Sequence, residues 1–317
     1  MKNILVTGGC GFIGSNFINY ILRKDFDVFI VNIDCLNYCV SETNVINNIR
    51  YKFEKGNITD QAFVSHLLEK YHIDIIIHFA AQSHVDNSFH NSLQYTIDNT
   101  YGTHVLMECS RLYGKITQFI HISTDEVTGT LDIHHQGCTE ECLLNPTNPY
   151  AASKAGAEFI CKSYYHSFKL PVTIVRCNNV YGVNQYPEKL IPKFITLLKE
   201  NKKLTIHGKG DTRRSFIWTE DVNNALSIVM ERGIVGEIYN IGTKQEYSVM
   251  DVASILVQKI HNSKNLEDYI EYVEDRPFND FRYALDTSKL NALGWKEEYT
   301  NFDTNLDIII ASINSNK

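Results

Sequence analysis

Over the first 177 residues, short β-rich runs alternate with longer stretches in which apolar positions recur every three or four residues. The runs are NILVT (3–7), VFIVNI (28–33), YKFEK (51–55), DIIIHFA (74–80), ITQFIHIS (116–123) and VTIVRC (172–177). Between them, FIGSNFINYILRK, TDQAFVSHLLEKY, SLQYTIDNTYGTHVLMECSRLY and PYAASKAGAEFICKSYYHSF carry the i, i+3/i+4 spacing of amphipathic helices. Mostly continuous apolar strands alternating with helices predict a parallel sheet covered on both faces. Beyond residue 177 the alternation becomes irregular, with KLTIHG, EIYNIG and YIEYVE as short strands. The expected organisation is a first domain over 1–177, rejoined by part of 216–242, and a smaller C-terminal α/β lobe over 178–317.

Composition narrows the function classes. The 317 residues are 44% hydrophobic and 21% charged, ordinary for a globular chain with ample core. A net charge of −7 and a pI near 5.9 argue against nucleic-acid or anionic-membrane partners, which want a basic face. No run approaches the roughly 18 apolar residues of a membrane span. MKNILVTGG has no signal-peptide anatomy, so a cytoplasmic location is expected. Eight cysteines occur without a C-x-x-C pair or zinc spacing. Cys35/Cys39 and Cys138/Cys142 are each four apart, but no histidine set completes a site. Reduced thiols and no metal are the expectation.

TGGCGFIGSNF (7–17) follows the first strand and opens the first helix, with glycines at Gly8, Gly11 and Gly14. Gly8 permits a tight turn, Gly11 lets backbone approach a pyrophosphate, and Gly14 lets helix pack on strand. Asp34 ends the second strand twenty residues beyond Gly14. A carboxylate there accepts from ribose hydroxyls and repels a 2′-phosphate, so NAD is expected rather than NADP. The three-residue step from Gly8 to Gly11 resembles the short-chain dehydrogenase/reductase superfamily. That resemblance implies a Rossmann-type doubly wound α/β fold with a smaller substrate lobe.

Tyr150 and Lys154 stand four apart in PYAASKAGAEF, on one face of a helix. A nearby ammonium favours phenolate, which makes the tyrosine a base near neutral pH. Thr124 precedes them at a strand end, and Thr/Tyr/Lys after such a glycine loop resembles the catalytic set of the extended members. The carboxylates of STDEVTG (123–129), placed at the end of a buried strand, are the unusual feature. Two neighbouring carboxyls in different environments can divide proton donation from proton removal. A hydroxyl followed by Asp-Glu resembles the nucleoside-diphosphate-glucose 4,6-dehydratases. The resemblance makes Asp125 the acid that protonates the departing C6 hydroxyl and Glu126 the base at C5.

The likeness covers essentially the whole chain, through FAAQSHVDNSF, NTYGTHVLMEC, NNVYGVNQYPEKLIPKF, IHGKG, YNIGTK and DRPFNDFRY. It implies a cofactor side built from Phe12, Ile13, Asn57, Ile58, Ala80, Ala81, Ser83, Asn99 and Ser123 beside the glycines, Asp34, Tyr150 and Lys154. The substrate side it implies comprises Ser83, Thr124, Asn179, Lys189, Leu190, Thr205, His207, Arg214, Asn240 and Arg276. NNVYG and DRPFND resemble the UDP-rhamnose branch, so UDP-glucose is the first expectation and dTDP-glucose the alternative. A 4-epimerase, a decarboxylase and a non-enzymatic NAD-binding scaffold stay open as rivals. A separate downstream epimerase/reductase is expected to complete rhamnose. Departures from the family pattern are Cys35 for a lysine, Asn57 for an aspartate and Thr128 for a tyrosine. Helices over 92–111 and 150–167 carry Leu93, Ile97, Leu106, Ala157, Ile160 and Tyr164, more apolar surface than one sheet face needs. In the resembling superfamily these helices pair with their copies, so a homodimer is expected.

Overall fold

The computed structural model describes residues 1–37, 40–274, 278 and 280–314. Among them the strands are β1 (Lys2–Thr7), β2 (Val28–Asp34), β3 (Tyr51–Lys55), β4 (Ile75–His78), β5 (Gln118–Thr124), β6 (Val172–Cys177), β7 (Asn179–Tyr181), β8 (Leu204–His207), β9 (Arg213–Trp218), β10 (Ile238–Ile241), β11 (Glu246–Ser248) and β12 (Ile270–Val273). Seven form one sheet in the order β10-β6-β5-β4-β1-β2-β3, with every pairing parallel. The chain runs outward from β1 to β3, then returns to β4 and runs the other way. That reversal places a switch point between β1 and β4, where a doubly wound sheet opens its crevice.

Both faces of this sheet are buried, which is why its strands read as continuous apolar runs. Ile4 and Val6 of β1 pack with Phe17, Ile21, Leu226 and Val229 on one side. Leu5, between them, packs with Leu67, Leu106, Phe119 and Cys161 on the other. A separate core gathers Phe194, Ile195, Leu204, Val252, Leu256, Phe302 and Leu306 around β8, β9 and β12. The remaining strands form a sheet β11-β9-β7 and a pair β12-β8. Periodicity did not announce β7, β9 or β11. Two of these are three residues long, and β9 opens on Arg213 and Arg214.

Helix Pro149–Phe168 starts where Asn148 caps it, the side-chain oxygen accepting from Ala151 N–H at 2.8 Å, with proline in the first turn. Its apolar surface is largely used inside the chain. Leu106, Ala157 and Tyr164, expected on a dimer face, are buried against neighbouring elements of the same chain. Leu93, at 77% exposure, Phe159, at 59%, and Ile97 and Tyr101 remain uncovered. No helix among the described residues is long and apolar enough to cross a membrane.

One buried ion pair locks that helix to the sheet. Arg176 of β6 donates from Nε and Nη2 to the two carboxylate oxygens of Glu158, at 3.0 and 2.8 Å, with both side chains essentially inaccessible. Removing one partner strands the other charge in a low-dielectric interior. Glu158→Ala should therefore cost about 3–5 kcal/mol. A double Glu158→Leu/Arg176→Met variant should lose much less. Urea unfolding midpoints check both, and equal losses in the single and double variants would refute the account.

Candidate active site

The carboxyl ends of β1, β2, β4 and β5 open on one cavity of about 470 Å³, lined on its other side by residues that follow β6 in the chain. At β1, Gly8 takes φ +72°, and a Cβ there would stand 2.6 Å from the Ala80 backbone. A Cβ on Gly14 would stand 2.5 Å from the Gly8 carbonyl oxygen. Both positions therefore need glycine, one for the turn and one for helix–strand approach. At Gly11 the nearest atom is the movable Tyr186 hydroxyl. The loop is tied down by Gly9 N–H donating to Asn32 Oδ1 at 2.9 Å and Cys10 N–H donating to Asp34 Oδ2 at 3.0 Å.

Asp34 accepts also from Leu36 N–H at 2.9 Å. Burial raises its carboxyl above the usual range, and these backbone donors oppose the rise. Phe12, Ile13, Cys35, Asn57, Ile58, Ala80, Ala81, Ser83 and Ser123 all line the same cavity. Asn57 spends one lone pair of its side-chain oxygen on Thr59 N–H at 3.0 Å, leaving another acceptor site. Asn99 does not line it. Its amide instead clamps the backbone of Gln82, accepting from N–H at 2.7 Å and donating to the carbonyl at 3.0 Å. A glycine cradle that any Cβ would fill, with a buried carboxylate at the next strand end, fits a dinucleotide with free ribose hydroxyls.

Thr124 closes β5, and Asp125–Thr128 form a single 3-10 turn beyond it. The turn sends the adjacent carboxyls in different directions. Glu126 faces the cavity and accepts from Asn148 Nδ2 at 3.1 Å. Asp125 is 2% exposed and is not among the lining residues. It accepts from Asn178 Nδ2 at 2.7 Å and from the Thr124 hydroxyl at 3.2 Å. Burial, then the charge of Glu126, pushes Asp125 up to about 7 against the Asn178 bond. Burial also raises Glu126, opposed by Asn148, Arg214 and Lys189. The two acids thus have distinct surroundings.

Tyr150 and Lys154 line the cavity next to this turn. Lys154, expected to favour a Tyr150 phenolate, works here against the effect of burial. Lys154 Nζ donates to the Ile122 carbonyl at 2.6 Å, and burial lowers its ammonium to about 8. Burial and the charge of Glu126 raise Tyr150 far above its ordinary value, with the Thr124 contact opposing.

From the part of the chain beyond β6, Asn179, Lys189, Leu190, Thr205, His207 and Arg214 line the cavity. Lys189 Nζ donates to the Ser83 carbonyl at 2.8 Å, joining the two sides. Arg214 donates to the Asp280 carbonyl at 3.0 Å and lies over the Tyr283 ring at 4.8 Å. Asn240 was expected here and is not. Its amide donates to the Cys138 and Asp286 carbonyls at 2.9 and 3.0 Å, because β10 turns it beneath the 130–145 loop rather than into the cavity. Arg276 lies outside the described residues. Asn148, Asn178, Asp280 and Tyr283 were not foreseen. The first stands directly before the helix as a cap residue, a readable signal, and Asn178 directly follows β6. Asp280 and Tyr283 reach the site only through tertiary packing.

A family model described as GDP-mannose 4,6 dehydratase matches residues 5–307. The dTDP-D-glucose 4,6-dehydratase of Dictyostelium discoideum is 44% identical, with 94% of this chain and 78% of that protein aligned. A trifunctional UDP-glucose 4,6-dehydratase/3,5-epimerase/4-keto-L-rhamnose reductase of Arabidopsis thaliana is 50% identical over 94% of this chain, which spans 45% of that longer protein. Among solved structures, a dTDP-glucose 4,6-dehydratase of Streptomyces venezuelae, crystallised with NAD, matches with a TM-score of 0.94 at 34% identity, covering 99% of this chain and 98% of that one.

The raised pKa of Asp125 has a consequence for stability. Folded protein holds a proton there that the unfolded chain releases from about pH 4 upward. The stability this contributes is full below that pH and is lost as pH rises through about 7. Asp125→Asn cannot ionise, so it should melt at a higher temperature than the parent at pH 8, with the gap closing at pH 5. Calorimetry at both pH values checks this, and a gap that does not change with pH would contradict it.

Proposed function

This chain belongs to the GDP-mannose 4,6 dehydratase family, and from that premise we propose that it is an NAD-dependent nucleoside-diphosphate-glucose 4,6-dehydratase. The observation that carries this reading is the Asp125–Glu126 pair, split between two environments at the end of β5 and set beside Tyr150 and Lys154. An epimerase or a plain dehydrogenase has no use for two further proton-transfer groups there. We take UDP-glucose as the substrate and dTDP-glucose as the alternative; similar relatives carry both names. NNVYG and DRPFND favour the first.

The glycine loop and Asp34 would hold NAD, which when bound would supply hydride chemistry at C4 and C6. Tyr150, its phenol proton released to solvent in the open cavity before substrate enters, takes the 4-hydroxyl proton. Lys154, one helical turn on, is the cation that offsets the phenolate charge. Thr124 holds the same oxygen. With C4 a ketone, the C5 proton is acidic, and Glu126 removes it. Asp125, protonated below about pH 7, is the acid for the leaving C6 hydroxyl. Arg214 and Lys189 supply positive charge for the diphosphate. The cytosolic location belongs to the same reading, supported by free thiols at all seven described cysteines. The 4-keto product would pass to epimerase and reductase activities, which the Arabidopsis relative's name joins to the dehydratase.

Deuterium placed at C4 of UDP-glucose should reappear at C6 of the same product molecule, with solvent deuterium entering at C5. Label kept at C4, or lost to bulk cofactor, would overturn the dehydratase reading. Tyr150→Phe should abolish oxidation at C4, whereas Glu126→Gln should still allow it while slowing product by about 10²–10⁴-fold.

The assembly we propose is a homodimer through Leu93, Ile97, Tyr101 and Phe159, exposed apolar side chains on the two helical stretches that a second copy would bury. Sedimentation should show a dimer for the parent chain and a monomer for Leu93→Asp/Phe159→Asp. A parent that stays monomeric at all concentrations would refute the assembly.

A further inference from the structure

We propose that Asn178 is a positioning residue that fixes which oxygen of Asp125 carries the acid proton, Oδ1 and not Oδ2. The place of the proton rests on geometry alone; its catalytic consequence rests on the dehydratase reading. Asn178 directly follows β6, whose last residue, Cys177, is paired with Ile241 at the end of β10. Its own N–H donates to the Ile241 carbonyl at 3.0 Å. The residue is 2% exposed, so both ends of its side-chain amide need partners inside the protein.

An asparagine amide can be turned either way round, and here Thr243 decides. A backbone N–H only donates, so the Asn178 atom that faces Thr243 N–H at 3.1 Å is the oxygen. The nitrogen is left facing Asp125 Oδ2, at 2.7 Å. Gly242 makes room for this arrangement, since a Cβ there would stand 2.4 Å from the Asn178 oxygen. Asn178 Nδ2 cannot accept, so Oδ2 is the acceptor in this bond whatever the charge of the carboxyl. The hydroxyl oxygen of a carboxylic acid accepts less well than its carbonyl oxygen. A proton on Oδ2 would weaken the shortest bond the group makes.

Oδ1 stands 3.2 Å from the Thr124 hydroxyl, which can accept as well as donate. The neutral acid therefore carries its proton on Oδ1 and donates to Thr124 Oγ. Ionisation reverses that bond. Thr124 Oγ also accepts from Glu126 N–H at 3.4 Å. While Asp125 is protonated, both lone pairs of Thr124 Oγ are spent and its own proton is left for another acceptor. Under the dehydratase reading that acceptor is the 4-oxygen of the sugar, because Thr124 lines the cavity. The state of the acid and the hold on C4 are thereby linked.

The charged and titratable groups around Asp125 are Glu126 on the same turn, Arg214 of β9, Tyr150 of helix Pro149–Phe168 and Cys177 of β6. None is altered when Asn178 is replaced. An N–H donated to a carboxylate favours its ionised form, so Asn178 opposes the rise that burial imposes.

The test follows the Asp125 carboxyl carbon by NMR through a pH titration of the full-length protein labelled with ¹³C at aspartate, the signal being assigned by its loss in Asp125→Asn. In Asn178→Ala the midpoint should move up by about one pH unit, because the ionised form has lost a donor. Asn178→Asp keeps the shape of the side chain and its bond to Thr243 but turns an acceptor toward Oδ2. The two carboxyls should then share one proton, and the midpoint should rise further. A packing role alone predicts a lower melting temperature with the midpoint where the parent has it. That result in either folded variant, or a midpoint that falls in Asn178→Ala, would overturn the proposal. A second arm uses UDP-glucose. In Asn178→Asp the proton is held on the Oδ2 side, so product should form about 10²-fold more slowly while oxidation at C4 continues and KM stays near the parent value. Product at the parent rate would overturn the catalytic consequence. A parent that turns over neither UDP-glucose nor dTDP-glucose would count against the dehydratase reading alone, and the titration would still decide where the proton sits.

Discussion

A parallel strand can be followed by another only if the chain crosses back over the sheet, and here those crossings bury both faces. Everything at the site descends from that constraint. Helices on both sides leave the sheet only its ends and edges, and the carboxyl ends of β1, β2, β4 and β5 meet where the strand order reverses. Gly8, Asp34, Ala80 and Thr124 are far apart in sequence and meet around one cavity because each lies at, or within two residues of, the end of a strand of that group.

Burial also sets the chemistry. Asp125 and Glu126 are neighbours in sequence, yet the 3-10 turn points Asp125 behind the cavity wall, to the amide of Asn178, and Glu126 into the cavity, to the amide of Asn148. The same loss of water raises both acids and Tyr150 and lowers Lys154. Groups with ordinary values far from neutrality are thereby brought toward it, except Tyr150, which needs a neighbouring cation to offset its charge. Arg176 and Glu158 show how the fold accommodates a charge where no chemistry is required. There, two parallel hydrogen bonds neutralise a buried guanidinium beneath the helix that carries Tyr150.

The loop between the carboxylate turn and that helix is the least regular part of the site's framework. It is held by long-range bonds, from Cys138 to Ala284 and Asp286 and from Leu131 to Arg282, rather than by its own repeat. Such a segment can tie distant parts of the chain to the site without belonging to it. Asn240 illustrates the point: its amide supports Cys138 instead of touching the cavity.

What the sequence determined by itself was local. Six strands of the main sheet, the glycine loop, Asp34 and the Thr124–Tyr150–Lys154 set were legible, because each depends on periodicity or on a spacing within one element. Side-chain direction was not. Whether Asp125 lines the cavity or sits behind it depends on Asn178, fifty-three residues away, and on a turn whose pattern is only polar. Leu106, Ala157 and Tyr164 have the spacing of an outward stripe, yet packing between helices of the same chain covers them. The short strands β7, β9 and β11 exist because they pair with one another, and three residues such as NVY hold too little periodicity to declare a partner. Asp280 and Tyr283 enter the site from the far end of the chain. Only the tertiary structure decides that, since contacts at such separation follow from how the cores close, and no local pattern encodes them.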